Sequence, residues 1–536
     1  MTGQLALLVS QRKPMEPRPK QTQQARPSLP WLLVAYGLLA LLLAAPLLAV
    51  EVPLASDTLN HLARIHVRAH IADDPDLARL FVIRDYLVPY MGLDWMLTPL
   101  ARVMPTLVAG RVGIVLLLWG TVGAVLVLQR TFTGRIGFEP LLMGLVSYNA
   151  LLAWGFLNYI LGVIGALLGL AAWHGMRERP WLLRLVVFTT VATAMYFVHL
   201  LALALYGVML GAYEVFGRPR AWRTPAQDWL LLGAQFIPAV MLWMQLAMPP
   251  LADEGGVLWS CVSKLLGVLS PFLFSGAMGG LSLGSAAFGG CVFVLYYLTR
   301  TGVLRWNRTL AASAAGLMLL ALVLPYRVAG VFLDDTRLPV AAAYMAVAAV
   351  GIVPGAGRRL LPWGALLAGA VLVQVGSAAA SMRACDGQYG ELRAALQAVP
   401  RGAILVSAQE EDAPAPGVRC SALRVYDHMA QLVTLERSGY SPTFFSRATG
   451  VGVQSGVPEE EGLKFTKSVT ADVLPPGGYL LWMHLGNNDR PVPPGLTLLR
   501  SGSFFDLFSI AGGRGLDAPK HALLHARNEP GGAALR

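Results

Sequence analysis

The sequence predicts a polytopic α-helical membrane protein of about eleven transmembrane helices, followed by a small soluble α/β domain. Three observations carry that prediction. The chain of 536 residues is 55% hydrophobic and only 14% charged, with a mean hydropathy of +0.56, which is more apolar than a soluble chain can bury. Apolar segments of bilayer length recur along residues 31–380, separated by short basic clusters. From about residue 383 charges and turn signals appear, and no further segment is long enough to cross.

Taken in order, residues 1–30, rich in Lys, Arg, Gln and Pro, read as a disordered basic tail. The run WLLVAYGLLALLLAAPLLAV (31–50) is long enough to span, and no small-residue cleavage site follows it, so it reads as an uncleaved first span. Further spans fall near 107–128, 139–154, 157–175, 183–198, 200–216, 229–247, 284–299, 309–325, 338–353 and 361–380. The stretches 139–175 and 183–216 are too long for single helices and carry polar interruptions, GFLNY and YFVH, so each divides into two. With these divisions the basic clusters, from Lys13, Arg18 and Lys20 through Arg130 and Arg135, Arg218, Arg220 and Arg223, to Arg358 and Arg359, share one face. That face reads as cytoplasmic. The loop 51–106, with its surface-lying helices, the segment 248–283, the loop PYRVAGVFLDDTRLP (325–339) and residues 383–536 then lie outside.

The three parts are therefore the tail, a membrane domain over 31–382 and an outer domain over 383–536. In the last, YGELRAALQAV and RVYDHMAQLVTLERSG read as helices, and AILVSA, GYLLWMHL and LLRSGSFFDLFSI as strands. Cys385 and Cys420, both outside, could be bonded or remain two partly buried thiols; the four cysteines have no zinc-ligand spacing. The net charge of +11 is dispersed among topology signals with no basic stripe interleaved with aromatics, so nucleic acid is not an expected partner.

The polar residues that crowd the membrane's outer edge are the candidates for chemistry. In LASDTLNHLAR (54–64), Asp57, His61 and Arg64 are spaced to share one helical face, bordered by Asn60 and Arg68. The plain alternative is an N-capped surface helix with Asp57 paired to Arg64. Asp94 lies in an amphipathic stretch with Tyr86, Tyr90 and Trp95, where it serves the site or is a solvated acid on an interfacial helix. Asn149, Asn158, Tyr159 and His199 lie at the two outer hairpins, where each could simply satisfy a neighbouring helix. Asp335 and Arg337 in DDTRLP suit a phosphate group, or a local Asp–Arg turn.

The acid directly after the first span in SDTLNHLAR, the surface helices of that loop, the paired short spans around GFLNY and the soluble domain after the last span resemble the multispanning glycosyltransferases of the GT-C fold. That class includes protein mannosyltransferases and lipid A aminoarabinose transferases. The resemblance covers residues 31–380, and YNALLAWGFLNYILG is also similar to a bacterial branch near this class. It implies a multi-pass protein of the bacterial inner membrane with the C-terminal domain outside. It also implies transfer of a sugar from a polyprenyl-phosphate donor to a glycolipid, polysaccharide or protein acceptor. Asp57 would be the catalytic base, Arg64 and Arg337 would hold the phosphate, and His61, Asn158 and His199 would orient donor or acceptor. Thr58 stands where the mannosyltransferases carry the second acid of an Asp-Glu pair. A lipid-phosphate leaving group needs no obligatory metal, and a divalent cation is left open. Two other classes fit the same composition: a transporter or flippase, although no paired halves are visible, and a non-catalytic partner in envelope polysaccharide assembly.

Overall fold

The computed structural model describes residues 29–511 except 54, 84–86, 218–225, 246–256, 275–277, 329–330, 333, 410–419, 421–424, 446–452, 456–476, 484–491 and 493. The basic tail, Tyr86 and the cluster Arg218, Arg220 and Arg223 therefore lie outside the described residues.

The first span is α1 (Leu29–Leu48). The loop after it folds as α2 (Thr58–His70), α3 (Pro75–Leu80), β1 (Phe81–Ile83) and α4 (Gly92–Val103). Next come α5 (Thr106–Thr133), the short α6 (Met143–Val146) and α7 (Ala150–Trp154), then α8 (Leu157–Gly175), α9 (Trp181–Val198) and α10 (Leu200–Phe216). The helices α11 (Ala226–Ala234), α12 (Ile237–Gln245), α13 (Cys261–Leu269) and α14 (Met278–Arg300) follow. A two-stranded pair of β2 (Leu304–Trp306) and β5 (Val350–Ile352) brackets α15 (Arg308–Val323), the small hairpin β3 (Arg327–Val328) and β4 (Val331–Phe332), and α16 (Asp334–Ala349).

Among the described residues six helices are long and apolar enough to cross a bilayer: α1, α5, α8, α9, the Leu283–Arg300 part of α14, and most of α17 (Gly357–Leu396). The apolar α10, α15 and α16 are shorter. Both proposed divisions coincide with helix breaks, at Gly155–Phe156 and at His199. The expected count of about eleven full spans meets two differences. Residues 139–154 fold as a 3-10 turn (Glu139–Leu142), α6 and α7, because the Asn149 side chain accepts the N–H groups of Leu151 and Leu152 and so starts a new helix there. Residues 229–247 are split between α11 and α12, where the Gln235 amide donates back to the Leu232 carbonyl and its oxygen accepts from the Tyr206 hydroxyl. DDTRLP is also not a loop: α16 begins at Asp334, so Arg337 is on its first turn.

The last span does not end at the bilayer. Helix α17 continues unbroken to Leu396 and becomes the base of the C-terminal domain. Four strands, β6 (Leu405–Gln409), β8 (Tyr479–Met483), β9 (Leu496–Ser501) and β10 (Phe505–Ile510), form a sheet in the order β6-β8-β10-β9, with β6 and β8 parallel. The segment RVYDHMAQLVTLERSG is a 3-10 helix (Val425–Gln431) running into α18 (Leu432–Arg437).

These elements share a core with the loop that follows α1. Ala63, Val67, Leu77, Leu80 and Phe81 pack with Tyr440 and Phe444, and β1 pairs with β7 (Val453–Ser455). Asp74 accepts from Ser438 Oγ at 2.6 Å and Arg401 Nη2 at 2.7 Å. These contacts fix the C-terminal domain on α2, which positions the site below.

Cys385 on α17 is bonded to Cys420 across 35 residues. A loop of that length gives about 4 kcal/mol of stabilisation by restricting the unfolded chain. Cys385→Ser is therefore expected to lower the thermal midpoint, and reductant to lower that of the wild type equally; a midpoint that neither change moves would show the bond to be dispensable.

Candidate active site

The site begins with a glycine. Helix α7 ends at Gly155, which has φ +79°, and a Cβ there would meet the backbone nitrogens of Asp57 and Thr58 at 2.8 and 2.9 Å. Only a residue without a side chain permits this approach. The freed carbonyls at the end of α7 accept the chain that enters α2, Ala153 O from Ser56 N and Trp154 O from Asp57 N, each at 3.0 Å. The GFLNY turn thus pins the backbone of Asp57. Asp57 stands at the N-cap of α2, yet its side chain makes no capping hydrogen bond. The carboxylate is turned elsewhere.

It turns to the C-terminal domain. His428 Nε2 lies 3.2 Å from Asp57 Oδ1, with the two side chains 14% and 21% exposed. The tautomer follows from Asn60. Its Oδ1 accepts from Phe445 N at 2.9 Å, which fixes the amide orientation, and its Nδ2 donates to Thr443 O at 2.9 Å and to His428 Nδ1 at 2.7 Å. With Nδ1 accepting, the His428 proton sits on Nε2, the nitrogen that faces Asp57 Oδ1. Among the described residues Asp57 Oδ2 takes no protein hydrogen bond. The surface-cap reading of this stretch is overturned on both counts, because Arg64 does not pair with Asp57 either.

Arg64 pairs with Asp94. Its Nε and Nη2 reach Asp94 Oδ1 and Oδ2 at 2.7 and 2.6 Å, with the two side chains 2% and 0% exposed. Such a two-pronged pair ties α2 to α4 and occupies the fork expected to meet a phosphate. Asp94 is accordingly no solvated acid, although its neighbour Trp95 is 54% exposed as an interfacial residue would be. Asn158 at the start of α8 is also committed to backbone, accepting Leu93 N at 2.8 Å and donating to Tyr90 O at 3.1 Å. That clamp holds Tyr90, whose φ is +67°.

Around this frame the remaining candidates converge. His61 is one turn beyond Asp57, with its N–H on the Asp57 carbonyl at 3.1 Å. His199, at the break between α9 and α10, accepts Leu201 N on Nδ1 at 3.2 Å, so its own proton is on Nε2. Its ring packs edge-on against Tyr90 and Tyr159 at 4.7 and 5.3 Å, and His61 and Arg337 both lie within its electrostatic reach. The Arg337 guanidinium lies 4.4 Å from the ring centre of Phe156 and 5.5 Å from that of Tyr159, a cation held on aromatic faces.

Burial, then the Arg64 charge, pushes His61 down to about 4, against the opposing pull of Asp57 and Asp94. Burial, then His70, does the same for His66, which hydrogen-bonds Thr106 Oγ1 at 2.9 Å. Both are neutral when folded at neutral pH, whereas an unfolded histidine titrates near 6.5. The unfolded chain therefore binds more protons between about 4 and 6.5. Their contribution to stability is complete above pH 6.5 and is lost as the pH falls toward 4. In acid titration of unfolding midpoints, His61→Gln and His66→Gln should each flatten the decline over that window; an unaltered slope would contradict the assignment.

No protein-family model and no curated protein matches the sequence. A solved structure is similar in fold. It is ArnT from Cupriavidus metallidurans bound to undecaprenyl phosphate, with a TM-score of 0.46 and 10% identity, covering 91% of this chain and 100% of that one.

Two candidates stand apart from the convergence. Asn149 is spent on the cap of α7 and on the Tyr344 hydroxyl at 2.8 Å. Asp335 falls on the first turn of α16, but its side chain lies outside the described residues. Among the described residues no group of three or more His, Cys, Asp or Glu is placed to hold a metal ion. The sequence reading missed His428 and Phe156 and treated Asn60 as a border residue. A histidine in RVYDHMAQ, some 370 residues from Asp57, carries no local signal of their contact; Phe156, inside GFLNY beside a turn glycine, carries a weak one.

Proposed function

We propose that this protein is a membrane glycosyltransferase that moves a sugar from a polyprenyl-phosphate donor to an acceptor at the outer face, with Asp57 as general base. The observation that carries the proposal is the Asp57 carboxylate itself. It is backbone-pinned by the GFLNY turn, approached at Oδ1 by His428 Nε2, whose ring Asn60 orients, and without a protein partner on Oδ2 among the described residues. A carboxylate used only for structure would cap α2 or pair with Arg64.

In this reading Oδ2 removes the proton of the acceptor hydroxyl as its oxygen bonds to the anomeric carbon and the bond to the phosphate oxygen breaks. The departing polyprenyl phosphate is stabilised by Arg337, while His61 and the His199 Nε2–H orient donor and acceptor. Arg64 and Asp94 hold α2 against α4 and keep Asp57 in register. Asn158, by clamping residues 90–93, seats Tyr90 against His199. The Cys385–Cys420 bond supports an oxidising compartment for this face.

The test is donor consumption in proteoliposomes supplied with radiolabelled polyprenyl-phosphate hexoses and pentoses and a membrane-lipid extract as acceptor. The proposal expects release of polyprenyl phosphate by the wild type and release slower by about 10²-fold or more from Asp57→Asn. Passage of intact donor between leaflets without cleavage would instead establish a flippase.

A further inference from the structure

At the end of the bundle away from Asp57 lies a second site. α1 enters the outer loop from its C-terminus, so its first residues, Leu29 and Leu32, mark the opposite end, as does Arg130 at the close of α5. Between them and the first turns of α17 is a cavity of about 1180 Å³, larger than most small-molecule pockets. Its wall is almost wholly apolar, made by residues such as Leu298, Leu304, Leu360 and Leu361. Leu29 and Leu361 are 67% and 72% exposed, so this wall reaches the lipid-facing surface.

Among the described residues the charged groups lining the cavity are Arg130, Arg135 and Glu139, a net positive set. Arg130 is exposed. Arg135 gives Nη2 to Glu139 Oε1 at 2.7 Å and to Ile352 O at 3.3 Å, but among the described residues its buried Nε has no hydrogen-bond partner. The Arg305 side chain lies beside Arg135 across Gly351. Glu139 neutralises one of the two lining arginines, and its Oε2 is likewise buried without a hydrogen-bond partner among the described residues. An orphaned buried donor beside an apolar slot is costly unless a ligand supplies the acceptor.

We propose that this cavity is a binding site for an anionic membrane phospholipid, with an acyl chain in the slot and the phosphate against Arg130 and Arg135. Water would solvate the arginines but not the leucine wall, and a neutral apolar molecule would leave the Arg135 donor unmet. A basic pocket between helices at the membrane edge is the arrangement that holds anionic lipid heads. The inference is independent of the chemistry at Asp57.

Native mass spectrometry of the full chain, released from detergent after equilibration with phosphatidylglycerol or phosphatidylcholine, tests it. The wild type should retain phosphatidylglycerol preferentially. Arg130→Gln should weaken that retention about fivefold, the effect of one arginine at an anionic surface. Gly364 lines the slot and has open space where a Cβ would stand, so Gly364→Leu should expel the lipid. Gly376→Leu, on the same helix with equal room but away from the slot, should not. Equal retention of both lipids by the wild type, or phosphatidylglycerol bound undiminished by Gly364→Leu or Arg130→Gln, would overturn the assignment.

Discussion

Asp57→Asn is expected to reduce sugar transfer by about 10²–10⁴-fold, the range for loss of a positioned general base. The substitution is nearly isosteric. An asparagine oxygen still faces His428 Nε2 without a steric clash, and the backbone bonds from Ser56 and Asp57 to the end of α7 do not involve the side chain. The folded state should therefore survive, with an unchanged unfolding midpoint, while the group that takes the proton is gone. Transfer at the wild-type rate would place the base elsewhere; a collapse of the midpoint together with activity would make Asp57 structural.

The opposite pattern is expected at Asp94. Asp94→Ala leaves the Arg64 guanidinium buried without its partner, at a cost of about 3–5 kcal/mol. Thermal unfolding should show a large fall in midpoint. The double variant Arg64→Met with Asp94→Ala removes the orphaned charge along with its partner, and much of the lost stability should return. If the single variant keeps the wild-type midpoint, the pair is not the tie between α2 and α4 that its geometry describes. The two experiments separate the carboxylates: one is expected to govern rate and the other the frame that holds it.

Much of this architecture was legible in advance, and the residues say why. Spans such as 31–50 and 157–175 are predominantly apolar runs, and a bilayer leaves a backbone of that kind little choice but a helix. AILVSA and GYLLWMHL are short, apolar and flanked by turn signals, and they became β6 and β8. The helical spacing of Asp57, His61 and Arg64 likewise fixed their common face. What misled was the environment of side chains whose partners are distant. Asp94 and Arg64 are 30 residues apart and Asn158 lies 65 residues from Leu93; nothing local says that these groups satisfy one another.

By itself, then, the sequence determined a multi-pass helical protein, the helix breaks at GFLNY and YFVH, and a cluster of polar residues after the first span. Those properties follow from local hydropathy and backbone chemistry, which the chain carries wherever it is folded. Only the tertiary structure decided the division of labour within the cluster. Three placements made that decision: His428 delivered by the C-terminal domain to Asp57, Asp94 on Arg64, and Gly155 against the entry to α2. A carboxylate's role depends on which donors reach each of its oxygens, and that is settled by packing between segments tens to hundreds of residues apart.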